Sequence, residues 1–135
     1  MGGTKNNIIK IMCKCKNIKM GSFENQSEVV NPFTGKKVSI DNCIIQEVSD
    51  LWKKGIKTIG SCCGHNKTVP TIVVPESENS KMQALGYKKL YCPFNSNIYI
   101  SKTLYVNPWF LFKIEVISRI KFEIINKIKL WKSTK

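Results

Sequence analysis

The chain carries its positive charge almost without arginine and has almost no histidine. Of 22 basic residues in 135, only Arg119 is arginine, and His65 is the single histidine. One arginine leaves little scope for bidentate readout of bases or phosphates. One histidine restricts any Cys–His nucleophile pair to His65 itself. Acids are also few, nine in all, so paired carboxylates for general acid–base work are scarce. The phosphate-binding pattern G-x-x-x-x-G-K-[ST], the dinucleotide pattern G-x-G-x-x-G and the zinc-protease pattern H-E-x-x-H do not occur. Nor does the H-x-E with P-C-x-x-C of zinc deaminases. No catalytic residue is assigned on this basis. No run of 18 uncharged apolar residues exists, so no membrane span is expected. The opening MGGTKNNIIK lacks a signal-peptide apolar region,, and Met1-Gly2 fails the myristoylation pattern at Asn6. A cytoplasmic protein with reduced thiols is the expectation.

What the chain does have is charge at its ends and sulfur. Apolar residues make up 42% and aromatics 10%, enough for one folded domain over 1–135 with a core of its own. The net charge of +13 is uneven. Residues 1–20 hold five lysines and no acid, residues 21–101 nine lysines against seven acids, and residues 102–135 seven lysines and Arg119 against Glu115 and Glu123. A near-neutral centre thus lies between two basic ends. Such ends suit polyanions, namely nucleic acid, a nucleoprotein or an anionic membrane surface. The same Lys-, Ile- and Asn-rich composition is also that of AT-rich genomes. Candidate contact residues are Lys14, Lys16 and Lys19 at one end and Arg119, Lys121, Lys127, Lys129 and Lys132 at the other.

Six cysteines in a reducing compartment point to metal rather than disulfides,. Zinc takes four thiolate or imidazole ligands in a tetrahedron, delivered as close pairs from two loops. Cys13-X-Cys15 is one such pair. Cys62-Cys-Gly-His65 supplies the other, because Gly64 lets the backbone turn until residues 62 and 65 face the same way. Adjacent residues of extended chain point oppositely, so Cys62 and Cys63 are not expected to share one ion. The expected ligands to Zn2+ are therefore Cys13, Cys15, Cys62 and His65, with Cys63 and Cys43 in reserve. Cys92 is expected to be structural.

The pattern predicts an α+β domain: a small mixed sheet, two short helices and a structural zinc site over 1–106, then a long basic amphipathic helix over 107–135. Strands are expected at Ile8–Cys13, Ile56–Ile59, Thr71–Val74, Tyr87–Tyr91 and Asn97–Ser101. Residues 17–38 read as a long loop with a hairpin turn at Pro32–Gly35. Asp41 is placed as N-cap of a helix through Lys54 whose inner face is Ile44, Val48, Leu51 and Trp52, with Gly55 as its stop. Ser77 is placed as cap of a short helix with Met82 and Leu85 inward, ended by Gly86. Asn107-Pro108 opens the last helix. Positions 110, 114, 117, 121, 124, 128 and 131 form one stripe at 3–4 spacing, apolar except for Lys121. Packing along the domain's own sheet is the first expectation for that stripe. A basic face for a membrane or partner is the alternative.

The segment Gly55-Ile-Lys-Thr58-Ile-Gly-Ser61-Cys-Cys-Gly-His65, with the preceding Asp41-Asn-Cys-Ile and the following Leu85-Gly-Tyr87, resembles a family of small bacteriophage and prophage proteins of low-GC Gram-positive bacteria. Its members carry an N-terminal Cys pair, a helix and a G-I-x-T-x-x-S-C-x-G-H loop. The resemblance spans roughly residues 11–91 and brings no activity with it. It implies a phage gene product in host cytoplasm with a zinc-like site at Cys62 and His65. The functional expectation is a small zinc protein that binds nucleic acid or a host nucleoprotein, as an inhibitor of host defence such as an anti-CRISPR would. A metal- or cysteine-dependent enzyme and a membrane-surface protein are the alternatives.

Overall fold

The computed structural model describes residues 10–15, 24–90 and 97–134. The expected strand residues Ile8 and Ile9, the contact candidates Lys16 and Lys19, and Cys92 lie outside them. The fold is α+β, with two small antiparallel sheets and three α-helices.

The first sheet is a hairpin of β1 (Gln26–Val30) and β2 (Lys37–Asp41), in a register that sets Gln26 opposite Asp41. Its turn is built by Asn31. The Asn31 side chain accepts the Phe33 N–H at 2.9 Å, its carbonyl accepts the Gly35 N–H at 2.8 Å, and Gly35 takes φ +70°. The stretch read as loop therefore contains a full strand, β1, whose Gln-Ser-Glu start hides its alternation. β2 carries the chain straight to Asp41, so Asp41 does not cap a helix. Instead α1 (Ile45–Lys53) begins after a turn, with Ile44 at the cap position and no side-chain cap bond. Ile44, Val48 and Leu51 are buried and Trp52 is half-buried, as the spacing predicts. Gly55, at φ +79°, ends the helix, and the Trp52 indole N–H donates to Thr58 Oγ1 at 2.9 Å, holding the exit.

The second sheet runs β3 (Gly60–Cys62), β4 (Thr71–Val73) and β5 (Ile98–Ile100), with β4 central. The strand expected at Ile56–Ile59 pairs only from its last residue onward, where the Ile59 N–H meets the Val73 carbonyl at 2.8 Å. Ile56 is instead a core residue. Of Tyr87–Tyr91, Lys89 makes a single bridge to Tyr99. The N-terminal segment joins the domain through a parallel bridge between Ile11 and Leu104. The short helix α2 (Asn79–Ala84) follows a 3-10 turn at Glu76–Glu78, without a Ser77 cap bond, and buries Met82.

Between α1 and the second sheet lies a core of Ile44, Val48, Leu51, Ile56, Ile72, Val74, Met82, Tyr99 and Leu104, continuous with Cys15 and Cys63. Asp41, Glu47 and Glu78 are buried acids. Glu47 faces inward from α1 and is buried. Its carboxylate accepts the Ser101 hydroxyl, the Thr103 hydroxyl at 2.7 Å, the Lys102 N–H at 2.8 Å and the Tyr87 hydroxyl at 2.7 Å. Four donors offset the cost of burying this carboxylate. The result ties α1 to the strand exit at 101–103.

The last helix, α3 (Pro108–Ser133), starts where expected, with the Asn107 side chain accepting the Trp109 N–H at 2.9 Å and Pro108 in the first turn. It does not pack along the sheet. No α3 residue is buried, and from Arg119 to Thr134 only Ile125 is not exposed. Size explains this: a 26-residue helix is about 39 Å long, whereas strands of three residues offer a surface only about 10 Å long. Phe112, Phe122 and Leu130 also lie off the expected stripe and are exposed. No helix of the described residues is long and apolar enough to cross a membrane.

Replacing Glu47 with Ala should strand the hydroxyls of Tyr87 and Ser101, lowering unfolding free energy by about 3 kcal/mol in denaturant titration. Burial, then the Glu47 carboxylate, holds the Tyr87 phenol above its ordinary range. The unfolded chain therefore loses this proton first as pH rises. Stability contributed by Tyr87 is complete below about pH 10 and declines above it. Tyr87→Phe should be less stable than the parent at pH 8 and lose less stability between pH 9 and 11.

Candidate metal centre

Three separate parts of the chain bring sulfur to one point. Cys13 and Cys15 come from the N-terminal segment, Cys43 from the turn between β2 and α1, and Cys63 from the first residue beyond β3. Their Sγ atoms lie within 4.8 Å of one another. Cys13 is 3.6 Å from Cys43 and 3.5 Å from Cys63, while Cys15 is 3.9 Å from Cys43 and 3.6 Å from Cys63. Four thiolates around a cation at about 2.3 Å form a tetrahedron with edges of about 3.8 Å. These separations match that figure and are far from the roughly 2.05 Å of a disulfide. All five described cysteines are free thiols. The cluster has the geometry to hold a metal ion, and its sulfur set selects a thiophilic one.

Hydrogen-bond donors surround the sulfurs. The Lys14 N–H donates to Cys43 at 3.2 Å. The Asn25 amide donates to Cys15 at 3.3 Å and to Cys43 at 3.6 Å. Asn66 reaches across from the other ligand loop and donates to the carbonyls of Cys13 and Cys15, at 2.9 and 3.0 Å. Such outer bonds fix the direction of ligand side chains. Burial pushes the Cys13 thiol up to about 11 and raises Cys63 further. At Cys43 burial acts in the same direction, but the Lys14 N–H and the neighbouring thiols outweigh it and its pKa is lowered.

His65 and Cys62 go elsewhere. Cys62 is the last residue of β3, opposite Thr71, and its sulfur groups with Asp41 and His65, whereas Cys63, already in helical backbone at φ −75° and ψ −3°, joins the other three thiols. The chain then runs left-handed through Gly64, His65 and Asn66, at φ +79°, +48° and +58°. Only glycine fits position 64, because a Cβ there would lie 3.2 Å from the Pro70 nitrogen and 3.3 Å from the Val69 carbonyl carbon. This turn brings residues 62 and 65 together, as their spacing predicts, but beside Asp41 rather than into the thiol tetrahedron. His65 Nδ1 lies 3.2 Å from Cys15 Sγ and 3.5 Å from Cys63 Sγ, at the edge of the cluster.

The structure thus unites Cys13 and Cys15 with the two reserve residues, Cys43 and Cys63, and sets Cys62 and His65 in an adjoining group. The C-x-x-H spacing alone favours Cys62; the end of β3 at Cys62 and the helical backbone of Cys63 give the cluster Cys63 instead. Asn25 and Asn66 carried no recognisable signal. Of the basic candidates, Lys14 is exposed beside the cluster, and Arg119, Lys121, Lys127, Lys129 and Lys132 are exposed along α3.

No family model, curated protein or solved structure matched this chain.

Metal binding here must displace thiol protons, several of them held tightly. Apparent affinity should therefore rise with pH, by about tenfold per unit for each proton released, in a competition titration between pH 6 and 8. Chelation should lower the thermal midpoint by about 10 °C or more. Cys43→Ser and Cys63→Ser should each abolish that chelator-sensitive stabilisation.

Proposed function

We propose that the protein is a zinc-built binding domain that engages nucleic acid, single-stranded or within a nucleoprotein, through α3 and the exposed Lys14. Zinc is the natural occupant of four tetrahedral thiolates, a closed set that leaves no position for substrate and so acts as scaffold.

The observation that carries the reading is the composition of the exposed length of α3. Lysines and aromatic rings are interspersed along it: Trp109, Phe112, Lys113, Lys121, Phe122, Lys127, Lys129, Trp131 and Lys132. Trp109, Phe112 and Trp131 are each more than half exposed. Trp109 and Phe112 stack at 5.9 Å, and the Lys113 ammonium lies 5.6 Å from the Trp109 ring. Aromatic faces between cations are the means by which proteins hold unpaired bases, with stacking for the rings and ion pairing for the phosphates. A lysine-rich, arginine-poor surface suits this mode, since it requires charge rather than bidentate base recognition.

Binding of a fluorescent single-stranded oligonucleotide should weaken with salt at about 0.7 units of logarithmic slope per phosphate contacted. The double substitution Lys127→Glu, Lys129→Glu should reduce that slope. Trp131→Ala should weaken binding by about 1–3 kcal/mol with the slope unchanged. Absence of salt-dependent binding to either DNA or RNA would overturn the proposal. So would retention of full affinity by the charge-reversed chain.

A further inference from the structure

Beside the four-thiol cluster, the chain brings together a carboxylate, a thiol and an imidazole that the scaffold does not use. Asp41, Cys62 and His65 place one ligand atom each within 4.8 Å of the others. From this juxtaposition we infer a second cation site, with Asp41 Oδ2, Cys62 Sγ and His65 Nε2 as its protein ligands and one coordination position left open.

Four observations support it. First, the two nitrogens of His65 are divided. Nδ1 faces Cys15 and Cys63 of the first cluster, while Nε2 faces Asp41 Oδ2 at 3.8 Å. An imidazole oriented through one nitrogen and ligating through the other is the usual arrangement at metal sites. Second, that 3.8 Å is too long for a hydrogen bond, although both side chains are almost fully buried. Two donors each about 2.1 Å from a shared cation lie between about 3.4 Å apart at the tetrahedral angle and about 4.2 Å apart in line, and the gap falls inside this range. Third, Asp41 is held in place. Its Oδ1 accepts from Gln26 at 3.0 Å and its Oδ2 from the Cys63 N–H at 2.9 Å. A carboxylate oxygen keeps a second lone pair for a metal after one such bond. Fourth, charge favours a cation here. One divalent ion with four thiolates has a formal charge of −2, and the Asp41 carboxylate adjoins it; an unneutralised cluster of this kind is costly to bury.

The mixed N, O and S donor set suits a borderline divalent cation such as Zn2+ or Co2+. Three protein ligands, with Cys62 only partly buried, leave the fourth position for water. This is the coordination of an exchangeable or Lewis-acidic ion rather than a closed structural one. The site rests on the four-thiol reading only through its charge; the convergence of its three ligands is independent of it.

The test is a Co2+ titration of the full chain followed by absorption, with metal content measured by mass spectrometry under native conditions. The wild-type chain should take up two equivalents in two steps: a tight one with strong sulfur-to-cobalt bands, then a weaker one with a smaller increment, from one thiolate against four. Cys62→Ser should retain the first step and lose the second. Asp41→Asn should weaken the second step at least tenfold, and the first step serves as its check on folding. Cys43→Ser should impair the first. Uptake of a single equivalent by the wild type would overturn the second site whatever becomes of the first. So would a second step unaltered by Cys62→Ser.

Discussion

The domain depends on four sulfur atoms meeting at one point. Cys13 and Cys43 are 30 residues apart, and Cys13 and Cys63 are 50 apart. The segments they join share no sheet: among the described residues the N-terminal stretch makes one parallel bridge, to Leu104, and the hairpin and the three-stranded sheet are separate sheets. Side-chain bonds from Asn25, Asn66 and Asp41 add to the sulfur junction. A chain of this size with strands of three to five residues has limited apolar area to offer against its conformational entropy. A metal-sized junction that fixes three segments at once supplies what the sheets do not. The core runs directly into it, with Cys15 and Cys63 belonging to the same buried cluster as Ile40 and Ile44.

Glu47 is a second polar anchor, in the first turn of α1 and four residues beyond Cys43. Its carboxylate organises the exit from β5, where Ser101, Lys102 and Thr103 would otherwise present polar groups to the core. The start of the helix is thus secured through sulfur just before it and through a satisfied acid in its first turn. Both are polar devices set in an apolar core, and each fails as a unit if one partner is removed. The helix has no side-chain N-cap bond, and at its other end the Trp52 indole holds the exit.

Much of this was legible in the sequence, and what was not has physical causes. The inward face of α1 followed from 3–4 spacing, the stops from Gly55 and Gly86, and the start of α3 from Asn107-Pro108. Hairpin strand β1 was obscured because Gln26, Ser27 and Glu28 are polar on both faces, so alternation had nothing to show. Asp41 reads locally as a cap, but the ladder with Gln26 extends one residue too far for that role. The cysteine sites were legible as residue types and pairs; which sulfur joins which group turned on strand ending and a left-handed turn, neither of which spacing records. The failure of α3 to pack on the sheet follows from the length of strands that pattern reading places but does not measure.

Asn66 has a consequence for kinetics. Its amide binds the carbonyls of Cys13 and Cys15 from the loop that carries Cys63, and it needs no ion to do so. Three of the four thiols are therefore brought into register by an ordinary amide before any cation arrives. Capture of a cation would then be a single step into a nearly formed cage rather than a sequence of loop closures, each with its own entropy. Such a cage would fill at a rate set by encounter and thiol deprotonation, and release of an ion would require the two loops to part.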